Sequence, residues 1–267
     1  MKEAILSYLS AECPWRDTLH WFDTIDSTNT QAKAAAKAGA PHGTVLIAGQ
    51  QTQGRGRLGR SFHSPADTGI YLSVILRPAC KPEDLMHLTC SAAVAMCDAV
   101  ETIAGIRPGI KWTNDLIIGT KKLGGILTEL SVDPATGLVE YAVIGVGLNC
   151  SQTISDFPGE LRDMATSLKL EVMCAPSREV LAAAMVDAFV QMDAALLAKK
   201  QTLMDTYRRD CLTLGKEISI LRGSQVRYGT ALNIDDAGAL IVRFRDGSTE
   251  AVSSGEVSVR GMYGYIS

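Results

Sequence analysis

No apolar run in the sequence approaches the roughly 18 residues that a membrane span needs. The opening stretch MKEAILSYLSAECPW is too short and too polar for a secretory leader, because Glu3 and Glu12 interrupt it. Histidine is scarce, at four residues, and no HExxH occurs; the seven cysteines are scattered and form no CxxC. That pattern argues against a zinc site or a disulfide framework. It reads as reduced thiols serving as small apolar residues in a cytoplasmic protein. A metal held permanently by the protein is not expected, whereas Mg²⁺ arriving with a nucleotide needs few protein ligands and stays compatible. Positive charge is not in excess: 26 Lys+Arg stand against 29 Asp+Glu, for a formal net charge of −3. A global attraction for nucleic acid or an acidic membrane is thereby removed. Solenoid repeats are absent, and the only biased tract is the Ala-rich QAKAAAKAGA at 31–40.

What is present is ordinary globular composition, 46% hydrophobic and 21% charged, over 267 residues. At about 100–200 residues per domain, this length suits one large domain or a large one with a small one. Ser27-Thr28-Asn29 before the Ala-rich tract, and Gly39-Ala40-Pro41 after it, mark a short helix. TVLIAG (44–49) and GIYLSVILRP (69–78) read as strands, and apolar spacing predicts a helix over 83–104 that stops at Gly105. GIKWTNDLIIG (109–119), KLGGILTELS (122–131) and EYAVIGVGLNC (140–150) read as further strands. One long helix is expected from about 177 to 208, with Ser177 as its N-cap. After Leu214-Gly215 the texture changes to short strands split by Gly and Asp turns, the pattern of a small antiparallel β-barrel. The expectation is an α/β (α+β) protein: a mixed sheet flanked by helices over 1–211, and a small barrel over 212–267.

Chemistry concentrates in a few segments. GRGRLGR (54–60) packs three arginines among three glycines, a combination suited to carboxylate and phosphate. It contains G-x-G-x-x-G, but SFHSP follows where a dinucleotide-binding fold would open a helix, so the Rossmann reading and an NAD-dependent oxidoreductase fail. A solvated basic loop is the bland alternative; a loop that stays mobile until an anion orders it is the favoured one. KWTNDLIIGTKKLGGIL (111–127) is the second segment. If 111–118 is one strand, Lys111, Thr113 and Asp115 share a face and Trp112, Asn114 and Leu116 share the other. Such a strand is costly to bury unless its polar groups are paired or touch a ligand, and an exposed edge strand with a Lys–Asp pair is the rival reading. Gly124-Gly125 suggests close backbone approach by a ligand or a neighbouring element. Asn149 in GVGLNC is either a turn former or a site residue. Ser27-Thr28-Asn29 caps the helix, binds a ligand at its N-terminus, or both.

Taken in order, DSTN (26–29), Gln51 ahead of GRGRLGR, SP (64–65), KWTNDL with KKLGGIL, GVGLNC and GEVSVR (255–260) resemble the biotin protein ligase family. The likeness runs from about residue 20 to about residue 260. Thr113 stands where many members have Pro, and Phe62 where many have Trp. Some members carry an N-terminal winged-helix domain and act as repressors; Ser27 comes too early for one here, so the likeness is to the stand-alone class.

The resemblance implies a catalytic fold related to class II aminoacyl-tRNA synthetases and lipoate ligases. It implies a two-step reaction. Biotin and ATP give biotinyl-5′-AMP and pyrophosphate, and a lysine of a biotin carboxyl carrier domain of acetyl-CoA carboxylase then takes the biotin and releases AMP. By the same resemblance, Lys122 contacts both the biotin carboxyl and the α-phosphate as principal catalytic cation, with Arg57 and Asp115 completing the catalytic set. Ser27, Thr28, Asn29, Gln51, Gly54, Arg55, Arg57, Lys122, Gly124 and Gly125 go with biotin. Arg57, Arg60, Phe62, Lys111, Asn114, Asn149 and Arg260 go with ATP, whose Mg²⁺ is its companion. Asp115 positions the acceptor lysine or takes its proton. No nucleic-acid or membrane partner is implied, and the chain is a monomer or homodimer. The rivals are a lipoate or octanoate ligase of the same superfamily and a biotin-sensing regulator.

Overall fold

The computed structural model describes residues 1–222, 225–253 and 255–262. In chain order the elements are α1 (Lys2–Tyr8), β1 (Leu19–Ile25), α2 (Thr28–Lys37), β2 (Thr44–Gln51), β3 (Gly69–Leu76), α3 (Leu88–Ala104), β4 (Gly109–Lys111) and β5 (Asp115–Ile118). They continue with β6 (Lys121–Val132), β7 (Val139–Asn149), α4 (Leu168–Glu171), α5 (Arg178–Ala195) and α6 (Lys200–Asp210). The last strands are β8 (Glu217–Arg222), β9 (Gln225–Ile234), β10 (Leu240–Phe244), β11 (Thr249–Val252) and β12 (Glu256–Val259). Among the described residues the strands make two sheets. The first has seven strands in the order β1-β2-β3-β7-β6-β5-β4; the second has five, in the order β11-β10-β9-β8-β12. Only β1 and β2 pair in parallel, with Leu19 opposite Val45; the other ladders are antiparallel.

Alternation along the central strands decides what lies on each face of the large sheet. Leu72 and Val74 of β3 and Ile144 and Val146 of β7 join the main core beneath α3 and α5. On the opposite face Leu46, Ile75, Tyr141 and Val143 pack under α2, whose Ala32 and Ala36 lie one turn apart. Small side chains let α2 sit close to the sheet. At 10 residues, or about 15 Å, it covers only part of that face, and the uncovered remainder opens beside its N-terminus. Ser27 caps the helix by accepting the Thr30 N–H. The core is continuous into the second sheet, through Ile218, Leu240, Val242 and Val257. Among the described residues no helix is long and apolar enough to cross a membrane.

Two expectations change. The helix expected over 177–208 is two helices, α5 and α6, with a break at 196–199. No Gly or Pro marks the break; the fully buried His87 ring holds the Leu196 carbonyl oxygen at 2.9 Å, and α6 is redirected to bury Met204 and Tyr207. The strand expected over 109–119 is a hairpin: β4 and β5 pair with Lys111 opposite Asp115, and residues 112–114 form the turn. A single-strand alternation across 111–118 therefore does not hold. The Trp112–Thr113 peptide in that turn is cis.

Ile144 lies at the centre of β7 and is fully buried, whereas Met173 is fully exposed. Ile144→Ala is expected to cost about 2–5 kcal/mol in urea unfolding. Met173→Ala should stay within about 0.5 kcal/mol of wild type in the same measurement.

Candidate active site

The uncovered part of the sheet is the floor of a cavity of about 400 Å³. Two glycines of β7 make that floor possible. A Cβ at Gly145 would sit 1.7 Å from Asn29 Oδ1, and one at Gly147 would sit 2.4 Å from the Phe62 ring. Asn29 and Phe62 thus lie directly on the strand, where no other residue type leaves room.

At one end, the N-terminus of α2 and the end of β2 form a neutral polar socket. Gln51 Oε1 accepts from the Thr28 N–H at 2.8 Å and from its hydroxyl at 3.1 Å. Gln51 Nε2 donates to Ser64 Oγ at 2.9 Å. The buried Ser73 hydroxyl lies 2.8 Å from Thr28 Oγ1 and 2.7 Å from Asn29 Oδ1. Burial of these groups is tolerable because each is hydrogen-bonded.

Residues 52–63 fold back as a small hairpin over the cavity: Gly56 N–H donates to Arg60 O and Phe62 N–H to Gly54 O. Leu58 at its tip has φ +55° and is exposed. Arg55 makes a bidentate pair with Glu129, at 2.9 and 3.1 Å, and Arg57 donates to Asn114 Oδ1 at 2.9 Å. These anchors give the loop a defined path over the cavity. Lys33 and Asn29 also reach Glu129, at 2.8 and 3.2 Å. Burial works against the Glu129 charge, but Lys33, Arg55 and Asn29 together outweigh it and hold the carboxyl below its ordinary range.

The opposite end is cationic. Lys122 Nζ donates to Asp115 Oδ1 at 2.6 Å, and Asn114 Nδ2 donates to the same oxygen at 3.1 Å and to Ile126 O at 3.1 Å. Lys111 is buried beside them, and Arg60 also lines the cavity. Asn149 is buried in the wall, donating to Thr166 O and accepting from Gln152. Phe157, Leu161 and Met164 close the far side, and Val257 and Ser258 bring the second sheet to the rim. Among the described residues no group of three or more His, Cys, Asp or Glu converges on a metal-sized site.

The structure therefore brings together Ser27, Thr28, Asn29, Gln51, Arg55, Arg57, Arg60 and Phe62 with Lys111, Asn114, Asp115, Lys122, Gly125 and Asn149. Gly54, Gly124 and Arg260 lie outside the lining. A Cβ at Gly54 would meet Phe62 O at 2.4 Å and one at Gly124 would meet Gly147 O at 2.6 Å, so both serve close backbone packing. Arg260 pairs with Glu217 on the surface of the second sheet. Sequence reasoning passed over Glu129, Ser73 and the wall at 157–164. Ser73 carried a signal, as a lone polar residue in the apolar run 70–76, whereas Glu129, with Thr128 and Ser131 close by, carried none. The wall is irregular and carried none.

Residues 21–149 match the model of the biotin/lipoate A/B protein ligase family, and residues 213–260 match the biotin protein ligase C-terminal domain. The bifunctional ligase/repressor BirA of Bacillus subtilis is 35% identical over 240 residues, covering 88% of this chain and 72% of that protein. A biotin–[acetyl-CoA-carboxylase] ligase of Mycobacterium tuberculosis is 36% identical over 241 residues, covering 86% and 85%. The solved structure of biotin protein ligase from Aquifex aeolicus in complex with biotin and ATP matches with a TM-score of 0.75 and 28% identity. It covers 91% of this chain and 98% of that one.

The lowered Glu129 carboxyl fixes the sign of a pH effect. Its contribution is fully present above the ordinary glutamate value of about 4.3 and is lost as pH falls through the lower value of the folded state. Glu129→Gln should melt below wild type at pH 7, and the gap should shrink steadily towards about pH 3. A gap that stays constant over that range contradicts the assignment.

Proposed function

The chain belongs to the biotin/lipoate A/B protein ligase family, and from that premise we propose that it joins biotin to protein, activating it with ATP and transferring it to a lysine of a biotin carboxyl carrier domain. The observation that carries this reading is one cavity with a neutral hydrogen-bonding socket at one end and a cation cluster at the other. Biotin has the matching polarity: a neutral ureido head with donors and acceptors, and an anionic carboxylate tail.

Ser27, Thr28 and Gln51 take the ureido head, with Asn29 fixing the floor beside it. In the first step a biotin carboxylate oxygen attacks the α-phosphorus of ATP, and the bond to the pyrophosphate oxygen breaks. Two anions must meet, so preorganised positive charge is the main requirement. In this reading Lys122 bridges carboxylate and α-phosphate, supported by its pairing with Asp115. Arg55, Arg57, Arg60 and the buried Lys111 surround the remaining phosphate charge, and Mg²⁺ enters with ATP as part of that substrate. Phe62 and Asn149 are assigned to the adenine end. The hairpin at 52–63 roofs the cavity and keeps water from the mixed anhydride.

In the second step the ε-amine of the acceptor lysine attacks the activated carbonyl, an amide forms, AMP leaves with the electron pair, and the nitrogen loses a proton. A free lysine has a pKa near about 10.4, so the amine must be delivered neutral. Asp115 positions that amine. The carrier domain of acetyl-CoA carboxylase as acceptor belongs to the same proposal and is supported by the names of the relatives; the cytoplasm as the place of action belongs to it too, supported by the scattered cysteines.

Purified protein with labelled biotin, MgATP and an apo carrier domain should yield biotinylated carrier, and lipoate should not replace biotin. Lys122→Ala should lower transfer by at least about 100-fold. Arg57→Ala should open the roof, so that free biotinyl-AMP accumulates in solution. Normal turnover by Lys122→Ala contradicts the mechanistic assignment, and preference for lipoate contradicts the substrate.

A further inference from the structure

The turn at 112–114 carries much of the cationic end. Lys111 precedes it, Asn114 belongs to it, and Asp115 follows it. Its backbone is fastened from parts of the chain that contribute no side chain to that end. The Tyr207 hydroxyl, on the fully buried side of α6, donates to Thr113 O at 2.9 Å. The Trp112 N–H donates to Oγ1 of the fully buried Thr213 at 2.9 Å, in the connection between α6 and β8. The Trp112 ring N–H donates to Gly238 O at 2.9 Å, in the turn between β9 and β10. The same connection runs beside β4, with Leu212 N–H donating to Ile110 O at 2.8 Å. Burial, with nearby Cys90 and Cys211, pushes the Tyr207 phenol up, so it stays a neutral donor.

We infer that Tyr207, Thr213 and the Gly238 carbonyl are positioning groups for the reaction, through which α6 and the second sheet hold the turn and with it Lys111, Asn114 and Asp115. Buried bonds of this kind set atomic positions more than they add net stability, because each exchanges for a bond to water on unfolding. Position matters more: a reacting group displaced by about 1 Å can cost around 100-fold in rate. The socket at Thr28 and Gln51 hangs on α2 and β2 instead, so biotin capture is separable from the clamp. This inference rests on the ligase reading above and adds residues that never touch substrate.

The test is biotin-dependent ATP–pyrophosphate exchange by the full chain. Tyr207→Phe and Thr213→Val each remove one clamp bond without a large change in volume. Both should lower kcat by about tenfold while KM for biotin stays within about twofold. Thr213→Ser, which keeps the acceptor oxygen, should restore the rate. Val186→Ala, in the main core on α5, serves as a control that lowers the melting temperature and leaves exchange unchanged. The clamp is overturned if Tyr207→Phe and Thr213→Val exchange like the control, or if KM for biotin rises along with the loss of kcat. A wild-type chain with no biotin-dependent exchange overturns the ligase reading, and the clamp falls with it.

Discussion

Like charges confined to one cavity repel, and the whole site depends on how that repulsion is offset. At 4 Å and an effective dielectric near 20, two cations cost about 4 kcal/mol, a large share of the roughly 5–15 kcal/mol by which a domain is stable. Glu129 answers for Lys33 and Arg55, and Asp115 answers for Lys122. Both carboxylates sit on the β5–β6 hairpin, as does Lys122 itself. The hairpin therefore acts as a charge template. It keeps the cations aimed at the cavity before any anionic ligand arrives, so binding need not order them from a disordered start.

That template needs a floor, and the floor follows from strand alternation. Residues of β7 that face the main core are apolar, while those on the other face include Gly145, Gly147 and Asn149. The change of texture along one strand creates the cavity: apolar residues under α2, then glycines where Asn29 and Phe62 must approach the backbone. A helix longer than α2 would have filled the space. The same economy places its N-terminus, with the hydroxyls of Ser27 and Thr28, at the cavity edge.

Much of this was legible in the residues. Apolar runs in 44–49, 69–78 and 140–150 marked the central strands, and the change to short Gly- and Asp-punctuated strands marked the second sheet. Clustering of Arg with Gly, and of Lys with Asn and Asp, pointed at the segments that line the cavity. The break after Leu196 was hidden because a long-range partner, His87, takes the carbonyl that a local Gly or Pro signal would otherwise have announced. The turn at 112–114 was hidden because Trp112 and Leu116 fit a strand alternation that tertiary bonds from Tyr207, Thr213 and Gly238 override. Glu129 escaped notice, since nothing near it in the sequence shows that Arg55 and Lys33 converge on it from elsewhere.

The central claim is that a roofed, charge-templated cavity makes a reactive acyl-adenylate and retains it until an acceptor amine arrives. The most direct measurement mixes the protein with biotin and MgATP in the absence of any carrier, counts pyrophosphate released per chain, and passes the mixture through gel filtration. The account predicts a burst of about one pyrophosphate per chain, dependent on biotin, with biotinyl-AMP travelling with the protein. Pyrophosphate release that ignores biotin, or that continues for many turnovers with the adenylate free in solution, contradicts it.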